Sequence, residues 1–202
     1  MSMRTAGVIG LGYVGLPLAV ELCRSGFRVL GVDVDAKRVS TLLSGRSYID
    51  DVPTEVVGAL VGEGLLVPTQ DYRALSAVEA MSICVPTPLR KTREPDVSFV
   101  TSAAQSIARV LCPGQLVVLE STVFPGATEE LVAPILEGSG LRAGEDFYLA
   151  FSPERIDPGN RRFKVREIPK LVGGINEAST RKAVEYYRQV FSTVVPMASA
   201  RE

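Results

Sequence analysis

The stretch GVIGLGYVG, residues 7–15, decides the fold. Its first three residues form an apolar run typical of a short strand, and residues 13–25 carry apolar side chains at helical spacing. Between them, GLGYVG (10–15) matches the pattern G-x-G-x-x-G. That pattern alone is weak, because glycines also mark ordinary turns. A strand before it and a helix after it are the context expected of a dinucleotide-binding loop.

Each glycine of this loop has its own predicted part. Gly10 allows a tight turn, and Gly12 lacks a side chain, so a pyrophosphate can approach the backbone. Gly15 allows the helix and the strand to pack closely. The amide groups at the start of the helix would then face the phosphates.

An acidic residue follows at the expected distance. Asp33 ends the next apolar run about 20 residues later, where a carboxylate accepts hydrogen bonds from the ribose 2′-hydroxyl of NAD. A carboxylate there also repels the 2′-phosphate of NADP, so we expect NAD. Arg38 follows in the next helix and could cover the adenine or ribose, while Lys37 and Arg38 together leave NADP open as an alternative.

Strand and helix patterns alternate along the rest of the chain, without a linker or an internal repeat. Strands are predicted at 7–9, 27–34, 65–68, 81–86, 115–121, 147–151, 171–174 and 193–196, and helices at 13–25, 35–45, 53–62, 97–111, 126–140 and 177–191. This alternation predicts an α/β fold of the Rossmann type, a doubly wound, mostly parallel sheet with helices on both faces. We expect one domain over residues 1–196.

Composition argues against several classes of function. The net charge is −1 and no basic run exceeds two residues, so a nucleic-acid or membrane partner is not expected. The chain has no histidine, which removes the commonest metal ligand and general base, and we expect no metal. Its cysteines, Cys23, Cys84 and Cys112, form no CxxC pair and fit small core residues in a reducing, cytoplasmic setting.

Three further loops follow predicted strands and combine proline with hydroxyl or charged residues. They are VPTP (85–88), ESTVFPG (120–126) and SPERIDPGN (152–160). Ligands of such sheets bind at the carboxyl ends of the strands, so the three loops together indicate a prepared crevice. For Glu154 and Arg155 a second interpretation stays open, in which a stiff turn carries a solvated ion pair.

Five ordered segments resemble the UDP-glucose/GDP-mannose dehydrogenase family, the nucleotide-sugar 6-dehydrogenases. They are GVIGLGYVGLPLA, ICVPTPL, ESTVFPGATEE, SPERIDPGN and IPKLVGG. Within the family, these sequences most resemble the UDP-N-acetylglucosamine and UDP-N-acetylmannosamine enzymes. The resemblance implies that two NAD molecules in turn oxidise C6 of the sugar from alcohol to carboxylate. It also implies a cysteine thiolate that captures the aldehyde and a thioester that is hydrolysed.

The resemblance implies roles for particular residues of this chain. The implied cofactor contacts are Tyr13 and Val14 at the pyrophosphate, Asp33 and Arg38 at the adenosine half, and Thr87 and Thr122 toward the nicotinamide. Thr122 is also expected to help place a water molecule. Glu154 would be the acid/base or water-orienting carboxylate near C6, and Arg155 and Ile156 would contact the substrate.

Other parts implied by the resemblance have no match in residues 1–202. The resemblance implies a catalytic lysine and its asparagine partner on a long central helix, and a nucleophilic cysteine in a later glycine-rich segment of a central substrate domain. Residues 197–202 are predicted to begin that helix, and the central and C-terminal domains are not expected in residues 1–202. We therefore expect this chain alone to bind NAD without turnover, and to be monomeric where the full-length form is a homodimer or larger. Three alternatives stay open: a UDP-glucose or GDP-mannose enzyme, a β-hydroxyacid-type NAD dehydrogenase, and a non-catalytic NAD-binding regulatory module.

Overall fold

The computed structural model describes residues 4–89, 95–154 and 165–201 of the 202-residue chain. The strands within these ranges are β1 (Arg4–Ile9), β2 (Phe27–Val32), β3 (Leu66–Thr69), β4 (Ala80–Ile83), β5 (Leu116–Leu119), β6 (Tyr148–Phe151), β7 (Lys170–Gly174) and β8 (Val194–Pro196). The helices are α1 (Gly15–Arg24), α2 (Ala36–Leu43), α3 (Thr54–Gly62), α4 (Ser98–Ala108), α5 (Ala133–Glu137) and α6 (Glu177–Tyr187).

The described strands form one eight-stranded sheet in the order β3-β2-β1-β4-β5-β6-β7-β8. β1 to β6 are mutually parallel, which confirms the predicted fold class, and their order is that of a doubly wound dinucleotide-binding sheet. β7 runs antiparallel to β6, and β8 runs parallel to β7. The chain reverses its winding direction between β3 and β4, so the carboxyl ends of β1 and β4 flank the expected ligand crevice.

Apolar side chains cover both faces of the sheet. One buried cluster joins the sheet to α1, α3 and α6, and the other joins it to α4 and α5. Every residue of β4 and β5 is buried. This double burial explains why these strands are continuous apolar runs in the sequence and not alternating patterns.

Local signals set several boundaries as predicted. Gly26 has a φ of +86°, a conformation that favours glycine, and it follows the last turn of α1. Asp35 caps α2, because its carboxylate accepts hydrogen bonds from the amides of Lys37 at 2.8 Å and Arg38 at 3.3 Å.

The predicted elements differ from the structure mainly at their ends. The helix predicted at 126–140 is divided into a π-helical segment, Thr128–Val132, and the short α5. Pro134 has no amide proton, so a regular helical ladder cannot pass through it. β4 ends at Ile83, so Cys84 follows that strand and does not lie inside it. A 3-10 turn at Tyr72–Ala77 was not predicted.

Two properties concern only the parts of the chain described above. None of the described helices combines the length and apolar character needed to cross a membrane. Among the same residues, no group of three or more histidine, cysteine, aspartate or glutamate side chains is placed to hold a metal ion. Residues 198–201 form bends and a turn, so the helix predicted to begin at residue 197 does not begin within the described residues.

Candidate functional site

The glycine-rich loop has two glycines that the fold requires and one that it does not. Gly10 has a φ of +89°, and a Cβ atom there would lie 2.7 Å from the carbonyl oxygen of Cys84. A Cβ atom on Gly15 would overlap the carbonyl oxygen of Gly10. At Gly12 the nearest atom to such a Cβ is Nη1 of Arg38, 3.9 Å away. The space above Gly12 is therefore open, which fits a loop that lets a pyrophosphate approach its backbone.

The first turn of α1 lies beside this loop. The helix begins at Gly15 and has no acidic residue in its first turn, so its own side chains do not oppose the positive end of its dipole. Tyr13 exposes 58% of its surface, whereas Val14 is half-buried against the core. The two residues lie where the amides of a helix start bind phosphate groups.

Asp33 lies directly after β2 and is only 5% exposed. Its Oδ2 accepts a hydrogen bond from the Leu11 amide at 2.8 Å, and its Oδ1 accepts one from the Asp35 amide at 2.9 Å. Nη1 of Arg38 lies 3.4 Å from the same Oδ2. Asp33 thus joins the glycine-rich loop to the end of β2. A carboxylate offers about four acceptor positions, so these contacts leave room for a ribose hydroxyl.

Tyr48 is a further member of this region that sequence reasoning missed. Its hydroxyl donates to the carbonyl oxygen of Leu11 at 2.7 Å, and the Arg38 guanidinium lies 5.8 Å from the centre of its ring. Burial, and then the charge of Asp33, raise the pKa of Tyr48, so the phenol remains a neutral donor. Tyr48 therefore contacts both the glycine-rich loop and Arg38.

The remaining predicted loops lie side by side along the same edge of the sheet. Gly10 packs against the backbone of Cys84 and Val85, at the start of the first loop. The Ser121 hydroxyl donates to the Val85 carbonyl at 2.7 Å, which joins the first loop to the second. The Ser152 amide donates to the Leu119 carbonyl at 3.0 Å, which joins the third loop to the end of β5. The described parts of the four segments, which include only residues 152–154 of the third loop, therefore lie at one edge of the sheet.

The predicted nicotinamide-side and catalytic residues lie on these loops. Thr87 is half-buried and Thr122 is exposed. Glu154 is half-buried and lines a small cavity that Glu120 and Lys170 also line. Arg155 and Ile156, the two residues predicted to contact the substrate, lie outside the described residues. The alternative prediction of an ion pair between Glu154 and Arg155 therefore also falls outside them.

A buried charge cluster beside Glu154 was not predicted. Nζ of Lys170 lies 2.5 Å from Oε2 of Glu120, and the two side chains are 7% and 1% exposed. The Tyr187 hydroxyl donates to Oε1 of Glu120 at 2.5 Å. The sequence did contain a signal: Glu120 and Lys170 each adjoin an apolar strand, where a charged side chain is buried only when it is paired.

Cys84 and Cys23 are held as neutral thiols. Burial, and then the charge of Glu120, raise the pKa of Cys84 well above its ordinary value, while Lys170 acts in the opposite direction. Burial raises the pKa of the Cys23 thiol from 9.0 to about 12. Because the thiolate is the nucleophilic form, the two residues are suited to the core and not to catalysis, as expected from the sequence.

The sheet order, the glycine-rich loop and the acidic residue after β2 define a Rossmann-type dinucleotide-binding domain, a class found in nicotinamide-dependent dehydrogenases. The chain belongs to the UDP-glucose/GDP-mannose dehydrogenase family, whose NAD binding domain matches residues 4–191. NAD is therefore the cofactor of this domain.

Relatives with known activities span the same region. The chain is 38% identical over 194 residues to the UDP-N-acetyl-D-glucosamine 6-dehydrogenase of Pseudomonas aeruginosa. This alignment covers 96% of this chain and 45% of that protein. It is 36% identical over 185 residues to the UDP-N-acetyl-D-mannosamine dehydrogenase of Methanococcus aeolicus, covering 89% of this chain and 40% of that protein.

A solved structure gives the same result. The NDP-N-acetyl-D-galactosaminuronic acid dehydrogenase of Methanosarcina mazei Go1 superposes with a TM-score of 0.90 at 38% identity, over 98% of this chain and 45% of that one. The chain thus spans less than half the length of these relatives.

Proposed function

We propose that this chain supplies the NAD-binding part of a nucleotide-sugar 6-dehydrogenase that oxidises the C6 alcohol of a UDP-N-acetylhexosamine to the uronate. The position of Glu154 carries the proposal. It follows β6 at the same sheet edge as the glycine-rich loop, half-buried in the wall of a small cavity. The names of the relatives support the substrate class.

NAD supplies the hydride acceptor in each of the two oxidations. The residues of this chain hold it: the open space over Gly12 and the free positive end of α1 bind the pyrophosphate. Asp33 favours an unphosphorylated ribose, and Arg38 covers the adenosine half. Thr87 and Thr122 lie on the loops that face the nicotinamide.

Glu154 acts in the second half of the proposed reaction, where an acyl group bound to the enzyme must be hydrolysed. A half-buried carboxylate can orient a water molecule and accept its proton as the water attacks. Thr122 would assist in placing that water, and Arg155 and Ile156 would contact the sugar nucleotide. Segments beyond residue 202 would supply the thiol and the lysine. We assign residues 1–196 to the NAD-binding domain and residues 197–202 to the connection toward the central helix.

UDP-glucose and GDP-mannose are the alternative substrates, and each has support from a solved structure. The UDP-glucose dehydrogenase of Pyrobaculum islandicum superposes with a TM-score of 0.86 at 31% identity. The GDP-mannose dehydrogenase of Pseudomonas aeruginosa superposes with a TM-score of 0.89 at 26% identity. We further propose a cytoplasmic enzyme that forms a homodimer or a larger oligomer when full-length.

The protein encoded by the complete reading frame provides the test. Incubated with NAD and, separately, UDP-N-acetylglucosamine, UDP-N-acetylmannosamine, UDP-glucose or GDP-mannose, it should form two NADH per sugar with one of the first two. Mass spectrometry of the product should show the uronate. Release of one NADH per sugar, or no oxidation of any nucleotide sugar, would contradict the proposal. The 202-residue chain alone should bind NAD and form no NADH.

A further inference from the structure

The charge pair between Glu120 and Lys170 lies next to the segment that carries Glu154. β6 and β7 pair through Phe151 and Gly173, and the Ser152 hydroxyl extends the contact by donating to the Leu171 carbonyl at 2.7 Å. Next to this contact, Glu154, which follows β6, and Lys170, the first residue of β7, both line one cavity. Glu120 enters the same cavity from the end of β5. Two carboxylates therefore share the surroundings of one ammonium group.

The ammonium group of Lys170 is held from several directions. It is 2.5 Å from Oε2 of Glu120, and it lies 5.2 Å and 5.5 Å from the ring centres of Tyr187 and Phe191. The Tyr187 hydroxyl fixes the other oxygen of Glu120. A side chain with four rotatable bonds is thereby confined to one place, which is the condition for orienting a neighbour.

Stability alone is a poor reason for such a pair. Replacing a buried ion pair with uncharged side chains of similar volume is often neutral or stabilising, because the desolvation of two charges offsets their attraction. The pair also lies at the one sheet edge where the proposed chemistry takes place. The field of the cluster extends over this edge, since Glu120, Lys170 and Glu154 all influence the pKa of Cys84.

We propose that Lys170, held by Glu120, is a positioning residue for Glu154. Its fixed positive charge holds the Glu154 carboxylate in the orientation in which it handles water. This inference rests on the proposed function, because it assigns a partner to the carboxylate that the function requires. Lys170 and Glu120 touch neither NAD nor the sugar in this account and act through Glu154.

The main test variant is Glu120→Gln combined with Lys170→Met, which removes both charges at nearly constant volume. Lys182→Met is the matched control, since Lys182 is an exposed lysine on α6. In the 202-residue chain, both variants should bind NAD with the wild-type Kd. In the protein from the complete reading frame, the double variant should lose about 10- to 100-fold in kcat, the scale of a misplaced catalytic group, with little change in the KM for the sugar. The control should keep its kcat.

A double-mutant cycle separates this inference from the proposed function. In a Glu154→Gln background, removing the charge pair should cause no further loss of kcat, because the group it positions is already gone. An equal loss in both backgrounds, or a wild-type kcat for the folded double variant, would overturn the inference alone. A wild-type kcat for Glu154→Gln itself would overturn the proposed function.

A milder variant covers the case in which the double variant no longer binds NAD. Tyr187→Phe removes the second hydrogen bond to Glu120, together with the 3.4 Å contact between the Tyr187 and Ser82 hydroxyls, and keeps the aromatic ring. It should retain the wild-type Kd for NAD and lose several-fold in kcat, and this loss should also vanish in the Glu154→Gln background. An unchanged kcat for Tyr187→Phe would then overturn the inference.

Discussion

Alanine at Gly12 should weaken NAD binding and leave stability nearly unchanged, whereas alanine at Gly15 should lower stability. A methyl group at residue 12 enters open space, with its nearest neighbour 3.9 Å away, so the free energy of unfolding should stay within about 0.5 kcal/mol of wild type. The same methyl group occupies the space through which a pyrophosphate would approach. Losing one charge-assisted hydrogen bond to the loop costs about 1.5–3 kcal/mol, which corresponds to a roughly 10- to 100-fold weaker Kd for NAD.

Gly15→Ala is the matched variant with the same added group. Its methyl group would overlap the Gly10 carbonyl oxygen, so α1 and β1 must separate. Overpacking of this kind costs about 1–3 kcal/mol, and more where backbone cannot yield. Urea unfolding followed by circular dichroism measures the stabilities, and calorimetric titration of the 202-residue chain measures the Kd. A wild-type Kd for Gly12→Ala, or a wild-type stability for Gly15→Ala, would refute the assignment of these glycines.

Four further predictions concern other parts of the chain. In the protein from the complete reading frame, Glu154→Gln should lower kcat about 100-fold or more with an unchanged Kd for NAD, as measured by NADH formation and titration. Asp33→Ala should lower the free energy of unfolding by about 1–3 kcal/mol, because it leaves the buried amide of Leu11 without its acceptor, and denaturant unfolding measures this loss. In native protein at pH 8, Cys112 should react with an alkylating agent long before the buried Cys23 or Cys84, and peptide mass spectrometry would show the order. In unmodified protein, the free energy of unfolding should fall as the pH rises from about 9 to 12, because Cys23 ionises in the unfolded state but not in the folded state over this range.

The sequence predicted most of the fold because its strands are buried on both faces. Runs such as LVVL in β5 can form only the interior of a covered sheet, and the helices between them impose parallel pairing. The reversal at β7 could not be predicted, because a short apolar run such as LVGG carries no sign of strand direction. The end of β4 was placed too late, since the apolar residues Cys84 and Val85 continue the pattern after the hydrogen bonds of the strand stop.

The candidate site was predictable where local backbone chemistry defines it. The turn at Gly10 and the close helix–strand contact at Gly15 were predicted because the glycine spacing in this short stretch encodes both. The Glu120–Lys170 pair joins residues 50 positions apart, and single-sequence patterns do not reveal such a contact. Tyr48 was missed for the same reason, since its partner Leu11 lies 37 positions earlier.

Titration of the 202-residue chain with NAD and, separately, with NADP tests the central claim most directly. Isothermal calorimetry should show NAD binding at a single site, and NADP binding at least about 10-fold more weakly, because its 2′-phosphate would meet the buried carboxylate of Asp33. Tighter binding of NADP, or no binding of NAD by the folded chain, would contradict the account.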